Sequence, residues 1–208
     1  MKARSLLYIA VTSAILATGL LPVFAQSQRY PTAREMQRLR ILFRQRIQAT
    51  QNNEVGAGYI QDRRSQAEVQ NRQSFVRNWS RVEPALAPFL GSWSGYEEVL
   101  HIYPSSVRGR ACIVITGEGH GSFTTGSISN GQIRYSNQKV LFIEGNYMGV
   151  ATVENNKPAI QVEIPLNSPT PLVPISQLRE YMEPSEYSII RQQFNAAGCT
   201  ASLPNRRR

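Results

Sequence analysis

Aspartate is almost missing from this chain: Asp62 is its single one in 208 residues. That scarcity excludes aspartate-rich calcium loops and leaves no aspartate pair for acid–base hydrolysis. Cysteine stops at Cys112 and Cys199, too few for a disulfide-dense mini-protein or an all-cysteine zinc site. Histidine stops at His101 and His120, so there is no His-x-x-x-His zinc pair, and neither a metal nor a cofactor is expected. Also missing are a Gly-x-x-x-x-Gly-Lys-[Ser/Thr] phosphate loop, a Gly-x-Gly-x-x-Gly turn opening a helix and a Gly-x-Ser-x-Gly elbow. The chain is 41% hydrophobic and 18% charged, with 14 Gly and 12 Pro, which is the make-up of a folded chain and not of a polyelectrolyte, a collagen or a coiled coil.

Residues 1–25 read as a secretory signal peptide. Lys2 and Arg4 precede a mostly apolar run over 6–21, Pro22 breaks it, and Val23-Phe24-Ala25 sets small residues at a cleavage site. The expected mature chain is exported, periplasmic or secreted, and soluble once the signal is removed. In an oxidising compartment Cys112 and Cys199 are expected to pair. That bridge would tie a C-terminal helix to the β-like run around Cys112.

The positive charge is unevenly spread. Residues 26–90 hold eleven Arg against five acids, a net +6, whereas 91–208 hold ten bases against nine acids. The basic segment is patterned as two amphipathic helices. Thr32-x-x-Glu35 and Ser65-x-x-Glu68 are capping boxes. Met36, Leu39, Leu42 or Phe43, and Ile47 recur at helical spacing after the first, and Val69, Phe75, Val76, Trp79 and Val82 after the second. Arg34, Arg38, Arg44 and Arg46 are the candidate surface-binding residues, suited to anionic lipid, an acidic polymer or an acidic envelope protein. Export excludes nucleic acid as the partner despite a pI near 10.0.

From Gly91 the period changes. Runs at 93–103, 111–116, 121–129, 132–135, 140–144, 147–153 and 159–165 read as short strands, with Asn130-Gly131 as the strongest hairpin turn. The expected fold is α+β: N-terminal amphipathic helices, then a small antiparallel β-barrel or strongly bent sheet of six or seven strands over 91–166. A proline-rich connector, C-terminal helices and a basic tail fill 167–208. Ser176 is placed as the cap of a short helix, Pro184 in the first turn of the last helix, and Gly198 just after it. Glu97 and Glu98 are expected to face Arg108 and Arg110 across the first hairpin.

The segment Phe89-Leu90-Gly91-Ser92-Trp93-Ser94-Gly95 is similar to the Gly-x-Trp opening of lipocalin-like (calycin) barrels, and the continuation to Tyr103-Pro104 resembles the haem-binding nitrobindin group among them. Gly91 and Trp93 are the positions that match. The resemblance implies that Trp93 closes one end of a barrel and that the barrel carries an apolar ligand or haem.

Trp93, His101, Tyr103, Glu118 and His120 are the candidate ligand-binding residues. His101 shares a strand face with Trp93 and Tyr103 if the run at 93–103 is unbroken, as either a hydrogen-bonded core histidine or a ligand. Thr116-Gly117-Glu118-Gly119-His120-Gly121 is either a glycine-rich turn or a strand with Glu118 and His120 on one face. The leading expectation is a non-enzymatic binding or assembly protein of a bacterial envelope. The alternatives are a lipocalin-like carrier and a hydrolase using Glu118 and His120.

Overall fold

The computed structural model describes residues 29–204. The signal at 1–25 and Arg206, Arg207 and Arg208 of the basic tail lie outside the described residues. The architecture is α+β: a curled antiparallel sheet forms a half-barrel, with helices packed on it.

Three helices come first. Helix α1 (Ala33–Gln51) starts on Thr32, whose side chain accepts from the Glu35 N–H while Glu35 bonds back to the Thr32 N–H. Helix α2 (Glu54–Ile60) falls where the Asn52, Asn53, Gly56 and Gly58 interruption was expected, so the segment has three helices and not two. Helix α3 (Gln66–Ser80) starts on the second capping box, Ser65 with Glu68.

Nine strands follow, not six or seven: β1 (Gly91–Ser94), β2 (Val99–Pro104), β3 (Arg110–Gly117), β4 (His120–Ser129), β5 (Gln132–Tyr135), β6 (Lys139–Glu144), β7 (Tyr147–Glu154), β8 (Lys157–Ile160) and β9 (Asn167–Thr170). They meander in sequence order from β8 to β1, and β9 returns to pair with β1. Two strands were unforeseen. The run at 93–103 is broken by a turn in which the Gly95 N–H donates to Glu98 O, so β1 and β2 fold back on each other. Strand β9 contains Pro169, lies inside the expected connector, and pairs irregularly at an edge, where a missing N–H is tolerated. Chain between β8 and β9 crosses back to β7, where Met148 and Leu166 exchange backbone hydrogen bonds.

Paired residues share a face of an antiparallel sheet. One row of faces runs Trp93, Leu100 and Ile115, and neighbouring rows bring Ile102, Ile113, Ile133, Leu141, Met148 and Val150 to the same side. This is the inside of the curl, and nearly all of these side chains are fully buried. The other face carries α1 and the last helix. Helix α1 lies over β6–β8, where Phe43 meets Phe142 edge-on at 5.1 Å. The last helix, α4 (Pro184–Ala196), lies over β2–β4 with Ile190 and Phe194 against Tyr103, Cys112 and Val114. Gly121 permits that approach, since a Cβ there would sit 2.9 Å from both Ile190 Cδ1 and Met182 Sδ.

The C-terminal segment holds to the sheet through a disulfide, side-chain hydrogen bonds and backbone hydrogen bonds from Ser106 to Gly198, Thr200 to Pro104 and Glu183 to Gly119. Cys112 and Cys199 form a disulfide with 6.0 Å between Cα atoms. Ser105 Oγ donates to Ala197 O, and Glu186 accepts from the Gly121 N–H. Pro184 opens α4 as expected, and Gly198 follows it at φ +65°. Ser176 caps nothing: the short turn of 3-10 helix Ile175–Tyr181 begins after Pro174 with no side-chain cap.

Candidate functional site

The five candidate ligand-binding residues do not converge. Trp93 pairs with Leu100 and points inside, while its neighbour Ser92 pairs with His101 on the other face. The break at 95–98 is the reason, because it removes the alternation that would have put Trp93 and His101 together. Trp93 Nε1 donates to Phe89 O at 2.7 Å, and the Arg72 guanidinium lies over its ring, 5.4 Å from the centroid. Arg72 also donates to Leu90 O and Pro88 O. Burial lowers its pKa to about 10.

His101 is buried with both ring nitrogens engaged, Nδ1 with Ser92 Oγ at 2.8 Å and Nε2 with Thr116 Oγ1 at 3.1 Å. Burial pushes its pKa down to about 4 from the ordinary 6.5. The folded chain therefore holds fewer protons than the unfolded chain between those values. Stability from the neutral imidazole is present above 6.5 and lost as the pH falls toward 4. Urea unfolding at a series of pH values is expected to lose roughly 3 kcal/mol across that window, and His101→Gln to flatten the loss. Glu98 works in the opposite sense, since its carboxyl is raised by burial and gains from acidification. An identical slope in the His101→Gln chain would contradict the assignment.

Tyr103 is buried under α4, donating to Val173 O and meeting the Phe194 ring at 4.9 Å. Burial raises its pKa. Glu118 and His120 sit at the tip of the β3–β4 hairpin. The segment is a two-residue turn, with Gly117 paired to His120 and positive φ at Glu118 and Gly119. Of the two readings the segment takes the glycine turn: Glu118 is exposed, His120 contacts Glu186 at 3.2 Å, and the alternative Glu118/His120 pair on one strand face does not form.

The arginine arm packs on the sheet. Arg40 bonds to Ile143 O and to Glu144, and Arg44 adds a 2.9 Å contact to the same carboxylate. Arg46 donates to Val162 O. Arg34 and Arg38 differ: both are exposed on α1 and have no hydrogen-bond or ion-pair partner among the described residues. They stand one turn apart, next to Ile41 and Leu42, which are 50% and 53% exposed. Glu97 and Glu98 do not face Arg108 and Arg110. The β2–β3 register sets the two pairs at opposite ends of the hairpin, and Arg108 approaches Glu83 instead.

A cavity of about 410 Å³ opens beside the 95–98 turn. Glu118 and His120 line it, but Glu98, Ile115, Val162, Glu163 and Leu166, which line it too, were not foreseen. Residues 159–165 read as one alternating strand, whereas β8 ends at Ile160 and the chain then turns across the opening. No local signal marks that departure.

No protein-family model matches the chain, and neither a curated protein nor a solved structure matches it. Function therefore has to be argued from the geometry. Among the described residues no group of three or more His, Cys, Asp or Glu is arranged to hold a metal ion, and no helix is long and apolar enough to cross a membrane.

Proposed function

We propose that this is an exported, non-enzymatic binding or assembly protein of a bacterial envelope, and that the outer face of α1 is its contact surface for an acidic partner. The observation that carries the reading is the division of labour among the arm's arginines. Arg40, Arg44, Arg46 and Arg72 are held by carbonyls, carboxylates or an aromatic ring of the same chain. Arg34 and Arg38 are left unpartnered among the described residues, beside two exposed aliphatic side chains. Unpaired guanidinium groups beside apolar surface suit an anionic headgroup layer, where each basic residue contributes about 1 kcal/mol and an aliphatic neighbour can bury its stem. The Cys112–Cys199 bridge accords with an oxidising compartment.

The carrier reading has less support. The inside of the curl is filled by its own aliphatic side chains, and His101 has no free ring nitrogen to offer a haem.

Co-sedimentation with vesicles tests the proposal. Binding to vesicles rich in an anionic phospholipid is expected to exceed binding to neutral ones and to weaken with salt, and the double substitution Arg34→Glu with Arg38→Glu to reduce it more than tenfold. Equal binding to both vesicle types, or binding untouched by the double substitution, would count against the α1 face.

A further inference from the structure

The cavity at the 95–98 turn joins an apolar floor to a rim of one charge sign. Ile115, Val162 and Leu166 supply aliphatic surface, and the lining residues include four glutamates, no lysine and no arginine. Glu98 is the most informative of them. It is partly buried, with its Cγ close to Gly95, and its carboxylate makes no hydrogen bond or ion pair to any described residue. Lys139 is felt electrostatically but is not among the ion-paired bases. Glu163, exposed, also lines the cavity, as do Glu97 and Glu118. The Tyr96 ring itself is fixed edge-on against Tyr59 at 4.7 Å.

We infer that this cavity binds a free small organic cation, an alkylammonium whose charged head meets Glu98 and Glu163 and whose tail lies on Ile115, Val162 and Leu166. Three observations select that class. The volume is in the range of small-molecule sites, which run from about 300 Å³ upward, and is too small for a folded partner. The aliphatic floor favours a ligand that removes apolar surface from water. The partly buried carboxylate of Glu98 lacks a partner, which a cation supplies and a neutral or anionic tail does not. An ammonium is a compact charge with three donors, able to serve more than one carboxylate of the lining. The site is separate from the α1 face, so either assignment can fail without the other.

Isothermal titration of the full mature chain with octylammonium, below its micellar concentration and at low salt, tests the inference. Octanol and octanoate are the controls for tail and for charge. Octylammonium is expected to bind at least about tenfold more tightly than octanol, and octanoate not at all. Glu98→Gln and Glu163→Gln are each expected to weaken octylammonium by about tenfold. Glu163 is exposed, so its substitution carries the test even if the Glu98 variant folds poorly. Glu154→Gln, an exposed acid on β7 outside the cavity lining, is expected to change nothing. Octanol binding as tightly as octylammonium, no binding of octylammonium, or an equal loss in the Glu154 variant would each overturn the assignment.

Discussion

Reducing the Cys112–Cys199 bridge is expected to remove about 4 kcal/mol from the unfolding free energy, a large share of what a chain of this size has. The bridge closes 87 positions, and loop-closure entropy alone puts the constraint at about 4.5 kcal/mol. The bond also decides what comes loose first. Helix α4 covers β2–β4 through Ile190 and Phe194, and its ends are tied by Ser105 to Ala197, Glu186 to Gly121 and the backbone bonds of Glu183 to Gly119, Ser106 to Gly198 and Thr200 to Pro104. Without the covalent link that layer is held by a small apolar cluster and these hydrogen bonds at its two ends. Equilibrium urea unfolding with and without reductant, and of Cys112→Ala with Cys199→Ala, measures the cost. Hydrogen exchange on the reduced chain is expected to show α4 amides losing protection before those of β6 and β7. A loss under about 1 kcal/mol would mean that the sheet holds the helix unaided.

The second large effect is on β1. Trp93→Ala is expected to cost about 3–5 kcal/mol, the range for deleting a large aromatic from a packed core. Its ring is 2% exposed, sits among Leu100, Phe89 and Leu90, and supplies the N–H that satisfies Phe89 O. It is also the surface on which Arg72 rests. That guanidinium is partly buried with no carboxylate beside it, its charge met by two carbonyls and the indole face. Arg72→Ala would leave Leu90 O and Pro88 O without these donors. A double-mutant cycle over Arg72 and Trp93 is expected to show a coupling of about 1–2 kcal/mol. Strict additivity would mean that the cation and the ring merely lie near each other.

Short-range signals were readable where a few residues settle their own conformation. Thr32 with Glu35 and Ser65 with Glu68 satisfy each other's backbone donors, so α1 and α3 begin where those boxes stand. Asn130-Gly131 adopts positive φ at both positions and turns β4 into β5. Pro184 and Gly198 bracket α4 for equally local reasons. Failures occurred where a neighbour in space made the decision. Gly95-Tyr96-Glu97-Glu98 has one turn-forming residue, yet β1 doubles back there because β2 pairs with it over four positions. Asn167 to Thr170 has no strand propensity, yet it forms β9 because β1 presents an open edge.

The candidate site follows the same division. The presence of an arginine-rich arm and its amphipathic period are properties of the chain alone, as are the count of two cysteines and the absence of metal-site and phosphate-loop motifs. Which arginines stay free is not such a property. Arg34 and Arg46 look alike in sequence, and only the seating of α1 over β6–β8 gives Arg46 the carbonyl of Val162 and leaves Arg34 in solvent. Glu98 and Glu163 are 65 positions apart and meet at one cavity because the chain leaves β8 after Ile160 and crosses the opening. Capping, turn and period are energies of neighbours along the chain, whereas a carboxylate's burial and an arginine's partner depend on which distant backbone arrives beside it. Only the tertiary structure supplies that backbone.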